Sequence, residues 1–559
     1  MKISGTPAPI QYITPSYAKL ASPKNTVFLR HIEDTFMIIK SPYPDAVIPL
    51  MPFTDFVFQN ASKYADKAAL IDGASGRTLT YSQLTGAIKL VAGSLHQRGF
   101  GQNDVFAIYS PNVPEYAIAF HAAAVLGGIV TTINPTYTAE ELARQLNDCK
   151  AKFLLTIPIF LANAQEAQAA SDVEEIFVFG EADGATPFAA LMQSDGTFPS
   201  VTINPKEDLV VLPYSSGTTG LPKGVMLTHH NLVSNLCQSE GIIDFDDTDS
   251  MIGILPFFHI YGMIVVMSYI LYVGGTVVTM PRFDLEQFLQ LMQDYKITRA
   301  ALVPPICLAL AKHPIVDNYD LSSLEHIISG AAPLSGELQQ AVGQRLDCLV
   351  TQGYGLTETS PVTHATPNDP AKVKTGAVGF CIRNSEMRIV DPNTGQDVDY
   401  HKEGEIWIRG PHVMKGYLNH PEATAATIDQ DGWLHTGDLG YVDEDDYLYV
   451  VDRLKELIKY KGLQIAPAEL EGLLIEHEAI ADAAVIPVPN EEAGEIPKAF
   501  VVLKPNQTLT AEEVMAHVAV HVAPYKKIRL VEFVDAIPKS ASGKILRRLL
   551  VDKERQAQQ

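Results

Sequence analysis

Residues 215–224 read Ser-Ser-Gly-Thr-Thr-Gly-Leu-Pro-Lys-Gly and follow directly on the apolar run Leu209-Val210-Val211-Leu212. Three glycines and four hydroxyl side chains in ten positions suit a loop that wraps phosphates. Glycine lets the backbone come close to an anion, serine and threonine donate hydrogen bonds, and Lys223 adds a positive charge. The segment is not a Walker A loop, because no Ser or Thr follows Lys223. A Ser/Gly-rich surface linker is the plain alternative. The β-rich approach and the continuation into Val225-Met226-Leu227 speak against it.

Four further segments carry side chains with chemistry. Tyr354-Gly355-Leu356-Thr357-Glu358 offers an aromatic face for a base and a carboxylate able to hold Mg²⁺. Thr436-Gly437-Asp438 offers a carboxylate that can accept both hydroxyls of a ribose. Residues 455–464, Lys-Glu-Leu-Ile-Lys-Tyr-Lys-Gly-Leu-Gln, read as a basic loop. Pro538-Lys-Ser-Ala-Ser-Gly-Lys544 sets one lysine at the end of a Ser/Gly loop, ahead of Ile545-Leu546-Arg547-Arg548. Alone, each has a plain reading: a Thr-Gly-Asp turn, a helix cap at Thr357-Glu358, a solvated lysine at 544. Their combination in one order over more than three hundred residues does not.

The elements that must hold these segments repeat a pattern. Ala122–Pro135 and Tyr269–Pro281 each run from an apolar helix through Gly-Gly into a β-branched strand. Such units build doubly wound sheets with helices on both faces, and two of them predict two similar α/β subdomains. Between Lys372 and Val450 the texture changes to short strands at Glu386–Val390 and Glu405–Arg409 around the turn at Asp391–Gly395, which predicts a small β-barrel or sheet. After Val451 comes a compact α+β unit. Pro467 opens a helix ending near Ile480, Ala483–Val488 and Ala499–Leu503 read as strands, and Thr510-Ala-Glu-Glu513 is a capping box. The expected architecture is therefore α/β. A large N-terminal domain, residues 1–451, has two doubly wound subdomains and a β-rich part at about 372–450. A hinge follows at 452–455, then a small mobile α+β domain at 456–559.

At 559 residues with 47% hydrophobic side chains, the chain has length for three to four domain-sized units with well-filled cores. Its net charge of −23 argues against nucleic acid and anionic membranes as partners. The charge is uneven. From Arg453 onward there are 15 basic and 15 acidic residues, so the neutral tail can meet an anionic ligand that the acidic body repels. Five scattered cysteines without Cys-x-x-Cys spacing suggest a reducing compartment and no zinc site. Met1–Pro7 lacks the apolar core of a signal peptide, and Gln-Ala-Gln-Gln is not a peroxisomal tripeptide, so the expected location is cytoplasmic. Gly262–Met280 is uncharged, but Gly274-Gly275 divides it into a buried helix and a buried strand.

Taken together, the five segments resemble the adenylate-forming superfamily of acyl-CoA synthetases, luciferases and peptide-synthetase adenylation domains, from about Ser41 to Leu550. Ser41-Pro42-Tyr43-Pro44-Asp45, Leu255-Pro256-Phe257-Phe258-His259-Ile260-Tyr261-Gly262 and Ile458-Lys459-Tyr460-Lys461-Gly462 look most like the 4-coumarate–CoA ligase branch. The resemblance implies a carboxylate attacking the α-phosphate of Mg·ATP to give an acyl-adenylate, then a coenzyme A thiol displacing AMP. It implies that Ser215, Ser216, Gly217, Thr218, Thr219, Gly220 and Lys223 cradle the phosphates. Ala331, Ala332, Pro333, Gln352, Gly353 and Tyr354 would hold adenine, and Asp438 with Arg453 the ribose, with Lys455 and Lys459 nearby. Thr357 would contact the α-phosphate, and Glu358 with Thr219 the metal. Lys544 would bridge the carboxylate and the α-phosphate, offsetting charge as two anions meet. His259, Tyr261, Val265, Gly330, Ala332, Gly355, Pro361 and Val362 would line the acyl tunnel, and Arg282, Lys461, Gly462 and Gln464 would face CoA. His259 has an alternative reading as a packed core histidine.

One departure bears on substrate. Where plant hydroxycinnamate enzymes place a small polar residue four positions after the matching tyrosine, this chain has Val265. A buried phenol there is less well satisfied, so cinnamate-like acids and medium-to-long fatty acids stand beside 4-coumarate. Other readings are a luciferase-like oxidase, a peptide-synthetase module, or a non-catalytic acyl-adenylate sensor. Glu358 and Lys544 argue against the last. The expected partners are a small carboxylic acid, ATP and CoA, with the chain a monomer or homodimer.

Overall fold

The computed structural model describes residues 37–215, 222–461, 463–490, 492–540 and 543–557. The readings made at Met1–Pro7, Ser216–Gly220, Gly462 and Gln559 lie outside them.

Two large sheets carry the N-terminal part. In the first, of eight strands, Val105–Tyr109 is central and all five of its residues are buried. Parallel to it run Ile129–Thr132 and Ala151–Thr156, and beyond Ile129–Thr132 lies Leu209–Ser215. Runs this continuously apolar belong to strands covered on both faces. The helices over them start where the chain supplies caps: Thr80 with Gln83 opens Tyr81–Gln97, and Thr138 with Glu141 opens Ala139–Cys149. The second sheet has nine strands, six of them parallel from Leu349–Gly355 across to Ala68–Asp72. The repeated helix–Gly-Gly–strand pattern thus places one unit in each sheet, as predicted.

The second unit has a feature that sequence pattern did not reveal. Tyr261–Ser268 is wound as a π-helix before the α-helix Tyr269–Val273, and both are buried. Gly274 closes the pair at φ +89°, where a Cβ would sit 2.4 Å from the Tyr64 ring. No helix among the described residues is long and apolar enough to cross a membrane.

The β-rich part is a five-stranded antiparallel half-barrel, within the expected barrel or sheet. Its order is Ile39–Lys40, Glu386–Val390, Gly404–Arg409, Leu434–Val442 and Leu448–Arg453. Its first strand lies far upstream of the expected span, since Ile39 pairs with Met387. Its last strand runs into the expected joint: Asp452 pairs with Leu439 and Arg453 with Asp438.

Beyond it lies a second, smaller α+β part with its own core, including Ile458, Leu470, Val485, Val501 and Val514. Three corrections apply here. The Pro467–Glu476 helix stops short of Ile480, because Ile480 begins the strand Ile480–Asn490. That strand and Gly494–Leu503 are longer than predicted, pairing along their whole length. The basic loop is a hairpin, Ile458–Tyr460 against Leu463–Ile465, with Lys461 at φ +50° after its first strand. The Thr510/Glu513 capping box forms as predicted.

Candidate active site

A cavity of about 1500 Å³ opens beyond the carboxyl ends of the strands Leu209–Ser215, His326–Ser329 and Leu349–Gly355. Open α/β sheets bind ligands at this edge. It collects most of the described residues singled out above: Ser215, His259, Tyr261, Val265, Gly330, Ala331, Gln352, Gly353, Tyr354, Gly355, Thr357, Glu358, Pro361, Val362, Arg453, Lys455 and Lys544.

At one end an aromatic ring and a carboxylate are tied together. The Tyr354 phenol donates to Asp438 Oδ2 at 2.6 Å, and Arg453 Nε lies 3.3 Å from Asp438 Oδ1. Burial and the Asp438 charge push the Tyr354 phenol well above its ordinary pKa, so it stays a donor. Gln352 lines the cavity, but its amide is engaged elsewhere. It donates to Leu334 O at 3.1 Å and to Gln339 Oε1 at 3.0 Å, and accepts from Leu334 N–H. Its visible work is to hold the turn of Ala331, which sits at φ +68°. Ala332 and Pro333 belong to that turn without lining the cavity.

Glu358, nearly buried, accepts at Oε1 from Ser215 Oγ at 2.7 Å and from the Tyr417 phenol at 2.9 Å. Lys223 Nζ stands 5.4 Å from the centre of the same Tyr417 ring. One tyrosine thus joins the candidate phosphate-binding lysine to the candidate metal carboxylate.

The other end is apolar and tight. The Tyr261 phenol donates to Ile328 O at 3.0 Å, which fixes its ring as a wall. A Cβ on Gly330 would stand 3.0 Å from that ring, and one on Gly355 would stand 2.1 Å from Pro361 O. Glycine at 330 thus lets the Tyr261 ring pack against the backbone, and glycine at 355 lets the backbone approach Pro361. Tyr261 and Val265, four positions apart on the π-helix, line the same cavity, and Val265 is 2% exposed.

Lys544 enters from the C-terminal part on a closed turn. Ser540 N–H donates to Lys544 O at 2.8 Å, Lys544 N–H donates to Ser540 Oγ at 3.1 Å, and Lys539 bridges to Ile545. The turn rests on the N-terminal part, with Gly543 against Val303 and Pro305. Burial, then the neighbouring Arg453 and Lys455 charges, lower the Lys544 pKa to about 8 against the pull of Glu456 and Asp438. Burial and the Lys544 ammonium lower His259 to about 4, so its imidazole is neutral.

The AMP-binding enzyme family matches residues 57–418, and its C-terminal domain matches 469–544. This chain belongs to the AMP-binding enzyme family. It is 47% identical over 525 residues to 4-coumarate–CoA ligase 1 of Petroselinum crispum, covering 92% of this chain and 96% of that one. It is 46% identical over 522 residues to 4-coumarate–CoA ligase 1 of Solanum tuberosum, with the same shares. The crystal structure of an anthranilate–CoA ligase in complex with anthranoyl-AMP superposes at a TM-score of 0.84 and 26% identity, covering 90% of this chain and 97% of that chain. The chain is an adenylate-forming acid–CoA ligase of the 4-coumarate–CoA ligase branch.

Within this AMP-binding enzyme the expected CoA residues are not gathered. Arg282, Lys461 and Gln464 are exposed and outside the cavity, as is Lys459. Several contributors were missed. Tyr417 holds Glu358, and Glu405 accepts from Gly437 N–H and from Trp407 Nε1–H, each at 2.9 Å, fixing the turn before Asp438. Asn235 grips Val362, donating to its carbonyl at 2.7 Å and accepting from its N–H at 3.2 Å. Ile243 adds to the apolar lining. None stands in a chemically suggestive spacing; each acquires its role from a partner distant in sequence.

Proposed function

We propose that this acid–CoA ligase activates an aromatic acid of the cinnamate class and reads a para-hydroxyl weakly. The observation that carries this is the acyl slot: a tyrosine wall held by Ile328 O and packed on Gly330, a backbone drawn close between Gly355 and Pro361, and an apolar end at Val265, Ile243 and Val362. Kinship with 4-coumarate–CoA ligases supports the aromatic part. The same apolar lining favours, as a second reading, a medium-to-long aliphatic acid.

The remaining roles are those the resemblance implies, and the gathering of Tyr354, Thr357, Glu358, Arg453 and Lys544 in one cavity supports them. Tyr354 and the Ala331–Pro333 turn receive the base, and Asp438 with Arg453 the ribose. Thr357 faces the α-phosphate, and Ser215 and Lys223 the outer phosphates. A carboxylate oxygen attacks the α-phosphorus and pyrophosphate leaves; the CoA sulfur then attacks the acyl carbon and AMP leaves. Lys544 offsets the charge that converges in the first step. Glu358 fits Mg²⁺, since a single carboxylate beside substrate phosphates is a donor set this ion commonly takes, and the ion would neutralise phosphate charge there. Residues 1–451 and 456–559 would act as two domains about a hinge at 452–455, bringing the Lys461 hairpin and its CoA candidates, with Arg282, into play after adenylation. Five cysteines, four of them buried thiols, suit a reducing, cytoplasmic setting.

ATP–pyrophosphate exchange and acyl-CoA formation measured over acids from acetate to oleate plus cinnamate and 4-coumarate test the proposal. Higher kcat/KM for cinnamates than for every aliphatic acid is expected. The opposite order would establish the second reading.

A further inference from the structure

Four cations converge where Lys544 enters the cavity, and one carboxylate acts on all of them. Glu456 lines the cavity, and its charge acts on Arg453, Lys455, Lys544 and Arg547. Its direct partner is Arg547, whose Nη1 donates to Glu456 Oε2. The same guanidinium grips Glu471, with Nε at 3.2 Å from Oε1 and Nη2 at 2.6 Å from Oε2. Glu471 is 6% exposed, and its Oε1 also accepts from Val485 N–H at 2.8 Å. The Arg547 side chain is itself 13% exposed.

Arg547 begins the Arg547–Ala557 helix immediately after the loop that presents Lys544. That loop closes at its base, where Leu546 N–H donates to Pro538 O at 2.8 Å. On the other side, Glu456 N–H donates to Arg453 O at 2.9 Å, and Arg453 pairs with Asp438. Arg547 therefore connects the lysine loop to the segment that follows the ribose-facing pair. A planar guanidinium can hold two carboxylates at once in a fixed geometry, which an ammonium cannot. Released from it, Glu456 has Lys544 as a nearby cation, and a Lys544–Glu456 ion pair would occupy the ammonium needed between substrate carboxylate and phosphate.

Resting on the adenylation role given above to Lys544, we infer that Arg547 is a positioning residue for adenylation: it keeps the Glu456 carboxylate off Lys544 and fixes the base of the loop that carries it. The charged and titratable groups facing Lys544 are Arg453, Lys455, Glu456, Asp438 and His259. Those facing Arg547 are Glu471, Glu456 and Asp452.

The test compares Arg547→Met, Arg547→Lys, Glu456→Gln/Arg547→Met and Lys544→Ala in both half-reactions. These are pyrophosphate release with ATP and cinnamate, and thioester formation from synthetic cinnamoyl-adenylate and CoA. Arg547→Met is expected to lower adenylation kcat by about 10–100-fold, the scale of a slightly misplaced reacting group, with thioester formation and the KM for ATP little changed. The alkaline limb of its adenylation profile is expected to move up, because Glu456 then supports the charged form of Lys544. The double variant is expected to recover part of the loss, and Arg547→Lys to fall between wild type and Arg547→Met. Equal losses in both half-reactions, or no recovery in the double variant, would overturn the inference and leave Arg547 a structural residue. Full adenylation by Lys544→Ala would instead overturn the reading on which the inference rests.

Discussion

Tyr354 and Asp438 meet through a 2.6 Å hydrogen bond, so the ring proposed to face the base and the carboxylate proposed to face the ribose are set by one contact. Tyr354→Phe keeps the ring and removes the donor. Asp438 retains Arg453 at 3.3 Å but loses a hydrogen bond to a charged acceptor, a class worth about 1.5–3 kcal/mol. Part of that is recovered by water, so the expected result is a rise of about 3–10-fold in the KM for ATP with kcat nearly unchanged. Steady-state kinetics at saturating acid check this. An equal fall in kcat would mean that the contact acts on the transition state and not on nucleotide binding.

The pH dependence of adenylation follows from Lys544. In the role proposed for it the ammonium is the working form, and its pKa is lowered to about 8 by burial and by Arg453 and Lys455. The charged fraction is therefore complete below that value and declines as pH rises through it. His259, at about 4, is neutral across the range and contributes no limb near 8. The expected kcat/KM for the acid falls above about pH 8, and Lys544→Arg, which remains charged, should abolish that fall whatever its absolute rate. An alkaline limb unmoved in Lys544→Arg would assign it to another group.

What the sequence made legible was local. Leu209–Leu212 announced a strand and Thr510–Glu513 a helix start because each signal and its partner lie within a few residues. The same holds for the two helix–Gly-Gly–strand units. The lysine turn at 538–544 was legible as a Ser/Gly loop ending in a charge, and it does deliver Lys544 to the cavity. Illegible were pairings set by topology: Ser215 reaches Glu358 across 143 positions, and Asn235 reaches Val362 across 127. Ile39 closing against Met387 is of the same kind. The π-winding at Tyr261–Ser268 has no distinct apolar period when all its faces are buried, so pattern reading returned an ordinary helix.

Val265 gives a direct test of acyl choice. It lines the cavity four residues after Tyr261 and is buried. Val265→Ser supplies a hydroxyl where a para-phenol would otherwise meet hydrocarbon. One neutral hydrogen bond contributes about 0.5–1.5 kcal/mol net, so the ratio of kcat/KM for 4-coumarate over cinnamate should rise about 2–10-fold. An unchanged ratio would place the substrate's para position away from Val265.

The proposed hinge can be tested at Lys455. Proline at 455 fixes φ and would freeze a pivot there, and it spares adenylation only if the adenylating arrangement accepts it. With Lys544 in the cavity, Arg453–Glu456 is a hydrogen-bonded turn: Glu456 N–H donates to Arg453 O at 2.9 Å, and Leu454 N–H donates to Gly437 O at 2.9 Å. Lys455 is the third residue of that turn, and neither it nor Leu454 has a positive φ. Proline is disfavoured at this position because it pushes the preceding residue out of the helical region. Lys455→Pro is therefore expected to strain the adenylating arrangement first. Adenylation should fall by about tenfold or more, the equivalent of roughly 1.4 kcal/mol, while thioester formation from supplied acyl-adenylate falls less. Because Lys455 also lines the cavity, Lys455→Ala serves as the side-chain control, and the difference between the two variants isolates the backbone. Identical half-reaction profiles for Lys455→Pro and Lys455→Ala would move the pivot elsewhere in the chain.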